Sequence, residues 1–165
     1  MKLKPSANFL AEPPTGRSGL ELERFLPYRL SVLTNRISTA IARVYVRRFD
    51  LTVPEWRVMA VLGRFGPLSA NAICERTAMD KVRVSRAAAR LAAAGRVDRH
   101  TDDADRRRAV LDLTPAGRTV YDEIGPLALA VEARLLAQLD ATDRANLARL
   151  LPKLEAAAAT SFAEG

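Results

Sequence analysis

The stretch Asp80–Thr114, DKVRVSRAAARLAAAGRVDRHTDDADRRRAVLDLT, constrains the fold more than any other part of the chain. Asp80 has a short carboxylate side chain suited to an N-cap, and the spacing predicts a helix from Lys81 to about Ala94. Gly95 supplies the C-terminal stop. Two short alternating segments follow, Arg96–His100 and Arg108–Leu113, with a charged turn, Thr101–Arg107, between them. A helix that stops on glycine and leads into a hairpin is therefore expected. Nine of the 26 basic residues fall here: Lys81, Arg83, Arg86, Arg90, Arg96, Arg99, Arg106, Arg107 and Arg108. Four acids oppose them between Lys81 and Arg108, so this stretch carries most of the net charge of +7. A concentrated basic surface on a folded domain favours a polyanionic partner.

The elements before and after this stretch read as helices. Leu30, Leu33, Ile37, Ile41 and Val44 recur at helical spacing between Phe25 and Phe49. Asp50-Leu51-Thr52 breaks that run, and Pro54 opens a helix to Phe65 that Gly66-Pro67 ends. Ser69 caps a short helix through Ile73 and Arg76, and Thr77-Ala78-Met79 is the turn into the helix that starts after Asp80. Two helices across a short turn make a helix-turn-helix candidate. Thr114-Pro115 begins a long helix toward Leu139, with a bend expected at Gly125-Pro126, and a last helix runs from Asp143. The expected fold is mainly α with a small β-hairpin: a winged helix-turn-helix flanked by terminal helices. The expected layout is a flexible arm at 1–24 and a single domain at 25–160, with the winged unit at about 51–113 and terminal helices at about 25–49 and 115–160.

On a helical wheel, Val84, Ala88 and Leu91 form the inner face of the basic helix. Val82, Ser85, Arg86 and Ala89 face outward, with Arg83 and Arg90 on the flank. Small side chains let a helix approach base edges closely. Arg86 can donate two bonds to guanine, Val82 can touch a thymine methyl and Ser85 can bond a base or a phosphate. Arg83 and Arg90 suit phosphates, which position a protein without reading sequence. Taken alone, a basic amphipathic helix fits a merely solvated surface as well. The helix-turn-helix placement and the basic hairpin favour double-stranded DNA.

The run VSRAAARLAAAGRVDRHTDDADRRRAVLDLTPAGR resembles the MarR family of winged helix-turn-helix regulators, and the resemblance spans roughly residues 25–155. Its most specific part is Asp105-Arg106-Arg107, followed by the Leu-x-Leu-Thr-x-x-Gly run of Leu111–Gly117. The resemblance implies a dimer whose recognition helices enter successive major grooves and whose wing tips enter the flanking minor grooves. It places Ser85 and Arg86 in the recognition helix, Arg107 at the minor groove and Asp105 as the acid that orients it, with Arg106 beside them. An arginine in a narrow minor groove exploits an enhanced negative potential, and a nearby carboxylate can hold a guanidinium in one geometry. The resemblance also places the dimer interface on the terminal helices, with Leu135, Leu136, Leu139, Leu147, Leu150, Leu151 and Leu154 as candidates. Those leucines alone would equally suit an intrachain core.

Many relatives of this kind are repressors released by aromatic acids, phenols or their thioesters. The opening LERFLPYRLSVLTNRIS is most similar to those controlling aromatic-acid degradation. Tyr28, Tyr45 and Trp56 offer aromatic walls, and Arg29, Arg36 and Arg43 offer cations for an acid or acyl-CoA effector. All six suit a core or a solvated surface equally well. Two alternatives remain: a redox-responsive regulator acting through Cys74, and a low-specificity architectural DNA-binding protein. No cofactor and no metal site are expected, because one His (His100) and one Cys make no ligand set. No catalytic set is recognisable, so an enzyme is not expected. The lone cysteine, the lack of a long apolar run and an N-terminus without a signal-peptide core lead to an expected cytoplasmic location with no membrane association.

Overall fold

The computed structural model describes residues 20–101 and 109–161. The elements are α1 (Leu26–Phe49), α2 (Val53–Phe65), α3 (Ala70–Thr77), α4 (Lys81–Ala93), β1 (Val97–Thr101), β2 (Ala109–Leu113), α5 (Pro115–Leu136) and α6 (Ala141–Ser161). They form two compact units that divide within α5, after Tyr121. No described helix is long and apolar enough to cross a membrane.

Local chemistry accounts for the helix starts. Glu55 Oε2 accepts from the Thr52 amide at 2.8 Å, satisfying a donor at the entry to α2. Ser69 Oγ accepts from the Ala72 amide at 3.3 Å, and Asp80 Oδ1 from the Arg83 amide at 2.8 Å, so both expected N-caps form. Ala78, in the turn between α3 and α4, holds a left-handed φ of 51°. Gly95 ends α4 region geometry at φ 67°, where glycine carries no Cβ penalty.

The strands pair antiparallel in the register Val97↔Leu113, Arg99↔Leu111 and Thr101↔Ala109. Leu68 adds a bridge at the other edge of β2: its amide donates to Leu111 O at 3.0 Å and its carbonyl accepts from Leu111 N at 2.9 Å. This ties the α2–α3 connection to the hairpin. The core of the first unit gathers Tyr45, Leu51, Val58, Met59, Leu62, Ile73, Met79, Val84, Leu91, Val97 and Val110. Each such side chain, once withdrawn from water, contributes roughly 1.5–3 kcal/mol for the larger aliphatics.

The ends of α5 and α6 differ from the expectation, and the buried face of α1 is specific to the fold. The buried positions of α1 are Ala42, Tyr45 and Phe49; Leu30 and Leu33 are exposed, and Ile37, Ile41 and Val44 are half-buried. The aliphatic stripe and the core-facing stripe of this helix are thus different, because an aromatic pair supplies the core contact. α5 remains helical through Pro126 and ends at Leu136. A proline forfeits one helix hydrogen bond, and the turns on either side carry the helix across it. Leu139 therefore lies in the connection before α6. That helix starts at Ala141, two residues earlier than expected, with Asp140 Oδ1 accepting from the Asp143 amide at 2.8 Å.

Candidate nucleic-acid interface

α4 has two sharply different faces. Val84, Ala87, Ala88 and Leu91 are buried, while Val82, Arg83, Ser85, Arg86, Ala89 and Arg90 are exposed. Val82 keeps 57% of its surface in water, on the same outward face as Ser85 and Arg86. Among the described residues nothing pairs with Arg86, so its five donors are available. Arg83 lies 3.5 Å, Nε to Oδ2, from Asp80 in an exposed ion pair; such a pair is worth about 0–1 kcal/mol and yields readily to a phosphate.

Arg90 is placed differently from the expectation that set it against phosphate. Its Nε lies 2.7 Å from Glu55 Oε1, and that carboxylate is buried. No feature of the sequence pairs residues 55 and 90; only the packing of α2 on α4 brings them together. Asp105, Arg106 and Arg107 of the wing lie outside the described residues. The strands that carry the wing are well set: Arg99 on β1 and Leu111 on β2 join Ser85, Ala88, Ala89 and Ala92 of α4 around a cavity of about 270 Å³. Arg99 beside Ser85 was not singled out by sequence reasoning, since strand register alone places it there.

The residues proposed for an effector are dispersed. Tyr45 and Trp56 are in ring contact, with centroids 5.6 Å apart, and Trp56 stacks in turn on Tyr121 at 6.1 Å. Burial pushes the Tyr45 hydroxyl up to about 12, against a smaller opposing effect of Arg57. Tyr45 is thus a neutral core residue at the junction of α1 and α2. Arg36 and Arg43 line a shallow groove of about 470 Å³ along α1 with Val32, Asn35, Thr39 and Ala40. Tyr28 is exposed and Arg29 half-buried. Cys74 on α3 is half-buried. Among the described residues no group of three or more His, Cys, Asp or Glu could hold a metal ion.

In the second unit, every residue of α6 from Ala141 to Thr160 is exposed. Leu147, Leu150, Leu151 and Leu154 recur at one-face spacing with 42–47% of each exposed. Leu135 is exposed, and Leu136 and Leu139 are half-buried.

A family model described as MarR family matches residues 49–108, from the end of α1 through α4 and β1. Over these residues the chain is similar to the MarR family. It is 28% identical over 105 residues to the HTH-type transcriptional repressor NicR of Pseudomonas putida, a match covering 64% of this chain and 66% of that one. A MarR-family transcriptional regulator from Silicibacter pomeroyi superposes with a TM-score of 0.68 at 27% identity, covering 81% of this chain and 89% of the other. Bordetella bronchiseptica BpsR, whose DNA binding is regulated by 6-hydroxynicotinic acid, has the same fold, with a TM-score of 0.71 at 24% identity over 84% of this chain and 98% of its own. These relatives are named as transcriptional regulators.

Proposed function

We propose that this chain is a MarR-family regulator: a cytoplasmic, homodimeric repressor that reads a pseudo-palindromic operator and releases it on binding a small aromatic or phenolic acid or its acyl-CoA thioester. The observation that carries the DNA reading is the outward face of α4, where Val82, Ser85 and Arg86, the last without a partner among the described residues, stand in water above a well-packed inner face. Val82, Arg83, Ser85 and Arg86 are the proposed recognition-helix contacts. Asp105, Arg106 and Arg107 are the proposed wing contacts. Arg90, held by Glu55, is proposed below in another role.

The homodimer reading rests on α6. A helix with a four-leucine stripe and no buried residue is only marginally stable in isolation, since most helical stability comes from packing an amphipathic face. A second copy offers the same stripe in return, and a two-fold dimer presents two α4 helices to half-sites about 34–36 Å apart. The proposed interface comprises Leu135, Leu136, Leu139, Leu147, Leu150, Leu151 and Leu154. Replacing Leu150 and Leu154 together by Glu is expected to give a monomer by analytical ultracentrifugation at micromolar concentration, with the winged unit still folded. A dimer of wild-type tightness would remove α6 from the interface.

The effector reading rests on the cations Arg36 and Arg43 along the α1 groove and on the aromatic residues at the α1–α2 junction. Tyr28, Arg29, Arg36, Arg43, Tyr45 and Trp56 are its proposed surroundings, with Tyr45 forming wall and packing at once. Control of a protein of this fold by a hydroxylated aromatic acid agrees with the same chemistry. Trp56 is the sole tryptophan, so its fluorescence reports directly. Titration with hydroxybenzoic and hydroxynicotinic acids and with benzoyl-CoA is expected to change Trp56 emission and weaken DNA binding for at least one of them. No change in either signal with any of them would exclude this effector class.

A further inference from the structure

We propose that Glu55 is a positioning residue for DNA recognition, fixing the roll of α4 by holding Arg90; the inference rests on α4 being the reading helix. Glu55 is 3% exposed and each of its oxygens is committed: Oε2 accepts from the Thr52 amide at 2.8 Å and Oε1 meets Arg90 Nε at 2.7 Å. One carboxylate thereby joins the first turn of α2 to the flank of α4. The next residue, Trp56, joins the same turn to Tyr45 of α1 and Tyr121 of α5.

The need for such a brace follows from the composition of α4. Its inner face is Val84, Ala87, Ala88 and Leu91, and it packs on α2, whose buried residues include Val58, Met59 and Leu62. Alanines present little relief to interlock, and apolar burial is not directional. A helix whose inner face is half alanine resists rolling less than one lined by large side chains throughout. A hydrogen-bonded ion pair is directional and short. With side chains a helix is about 10–12 Å across, so a roll of about 20° moves an outward side chain by about 2 Å. That is enough to carry Arg86 out of bonding range of a base edge, while contacts to phosphates, being longer and more adaptable, tolerate it.

Two roles for Arg90 give opposite expectations. If Arg90 bound phosphate and Glu55 merely neutralised it, Glu55→Gln would free a cation and leave or raise affinity. If Glu55 positions α4, Glu55→Gln weakens base reading alone. The test uses the full chain and two labelled duplexes: one selected by the wild-type protein from a randomised pool, and one of scrambled sequence. Glu55→Gln keeps an oxygen for the Thr52 amide but puts an NH2 donor where Oε1 accepted, which breaks the pair; Arg90, whose side chain is largely exposed, can then turn into solvent, so the variant is expected to fold. Its affinity for the selected duplex is expected to fall at least about 10-fold, with affinity for the scrambled duplex unchanged. Arg90→Lys, which keeps a charge opposite the carboxylate but loses the Nε geometry, is expected to act in the same direction, and the double variant to be no weaker than the weaker single one. Arg90→Lys carries the test should Glu55→Gln melt early.

Wild-type affinity of Glu55→Gln for the selected duplex, alongside a loss in Arg86→Ala, would overturn the positioning role while leaving α4 as the reader. An equal loss on both duplexes would also overturn it, since that is the mark of a general folding defect. Wild-type affinity in Arg86→Ala as well would reject α4 as the reading helix, and this inference with it.

Discussion

Replacing Gly117 by alanine is expected to destabilise the chain by about 3 kcal/mol and to lower the melting temperature by roughly 10 °C. A Cβ at position 117 would lie 1.9 Å from the carbonyl oxygen of Arg96. That oxygen is backbone and cannot swing aside: it accepts from the Thr114 amide at 3.1 Å where the hairpin passes into α5. Thr114 Oγ1 in turn donates to Gly95 O at 2.7 Å and accepts from the Gly117 amide at 3.0 Å. The Leu-x-Leu-Thr-x-x-Gly run is therefore a structural clasp, in which threonine bonds the end of α4 and glycine lets α5 approach the first residue of the wing. Gly125→Ala is the internal control. It lies in the same helix with nothing within 4 Å of the new methyl, so helix propensity should stabilise it by up to about 1 kcal/mol. Thermal melts by circular dichroism separate the two. A melting temperature for Gly117→Ala equal to the wild type would show that the clasp can open without cost.

The second large effect is on DNA. Arg86→Ala is expected to fold and dimerise as the wild type does, because Arg86 is exposed and supports no described contact. A bidentate arginine–guanine pair is worth about 1–3 kcal/mol. A two-fold dimer loses it twice, so affinity for a selected duplex should drop at least about 30-fold. Affinity for scrambled DNA should hardly change, because phosphate contacts dominate there. Arg107→Ala in the wing is expected to weaken binding with less change in base preference, through loss of minor-groove charge.

How far the sequence reveals the structure depends on how local each feature is. Asp80, Ser69, Gly95 and Thr114 act on neighbours within a few residues, and their roles as caps and stops can be read from the string. The two faces of α4 are equally local, since helical periodicity alone separates Val84 and Leu91 from Val82 and Arg86. The Glu55–Arg90 pair spans 35 positions and depends on how α2 meets α4, so the string places Arg90 on the flank without naming its partner. The same holds for Tyr45, which reads as an aromatic wall but is buried beside Trp56. The α1 stripe is legible as apolar, but nothing local says whether Leu30 and Leu33 serve the chain's own core or stay open, and both are exposed. Pro126 and Pro152 sit inside helices, as the sequence reading of two continuous helices expects.

The central claim is that this chain binds DNA by reading its sequence through α4. The most direct measurement is the ratio of affinities for a selected duplex and a scrambled one of equal length, by fluorescence anisotropy at fixed physiological salt. For the wild type the ratio is expected to be about 10³ or more, and for Arg86→Ala it should collapse toward the non-specific level. A wild-type ratio near one, or the same ratio in both proteins, would contradict sequence reading by α4 and favour a low-specificity architectural binder.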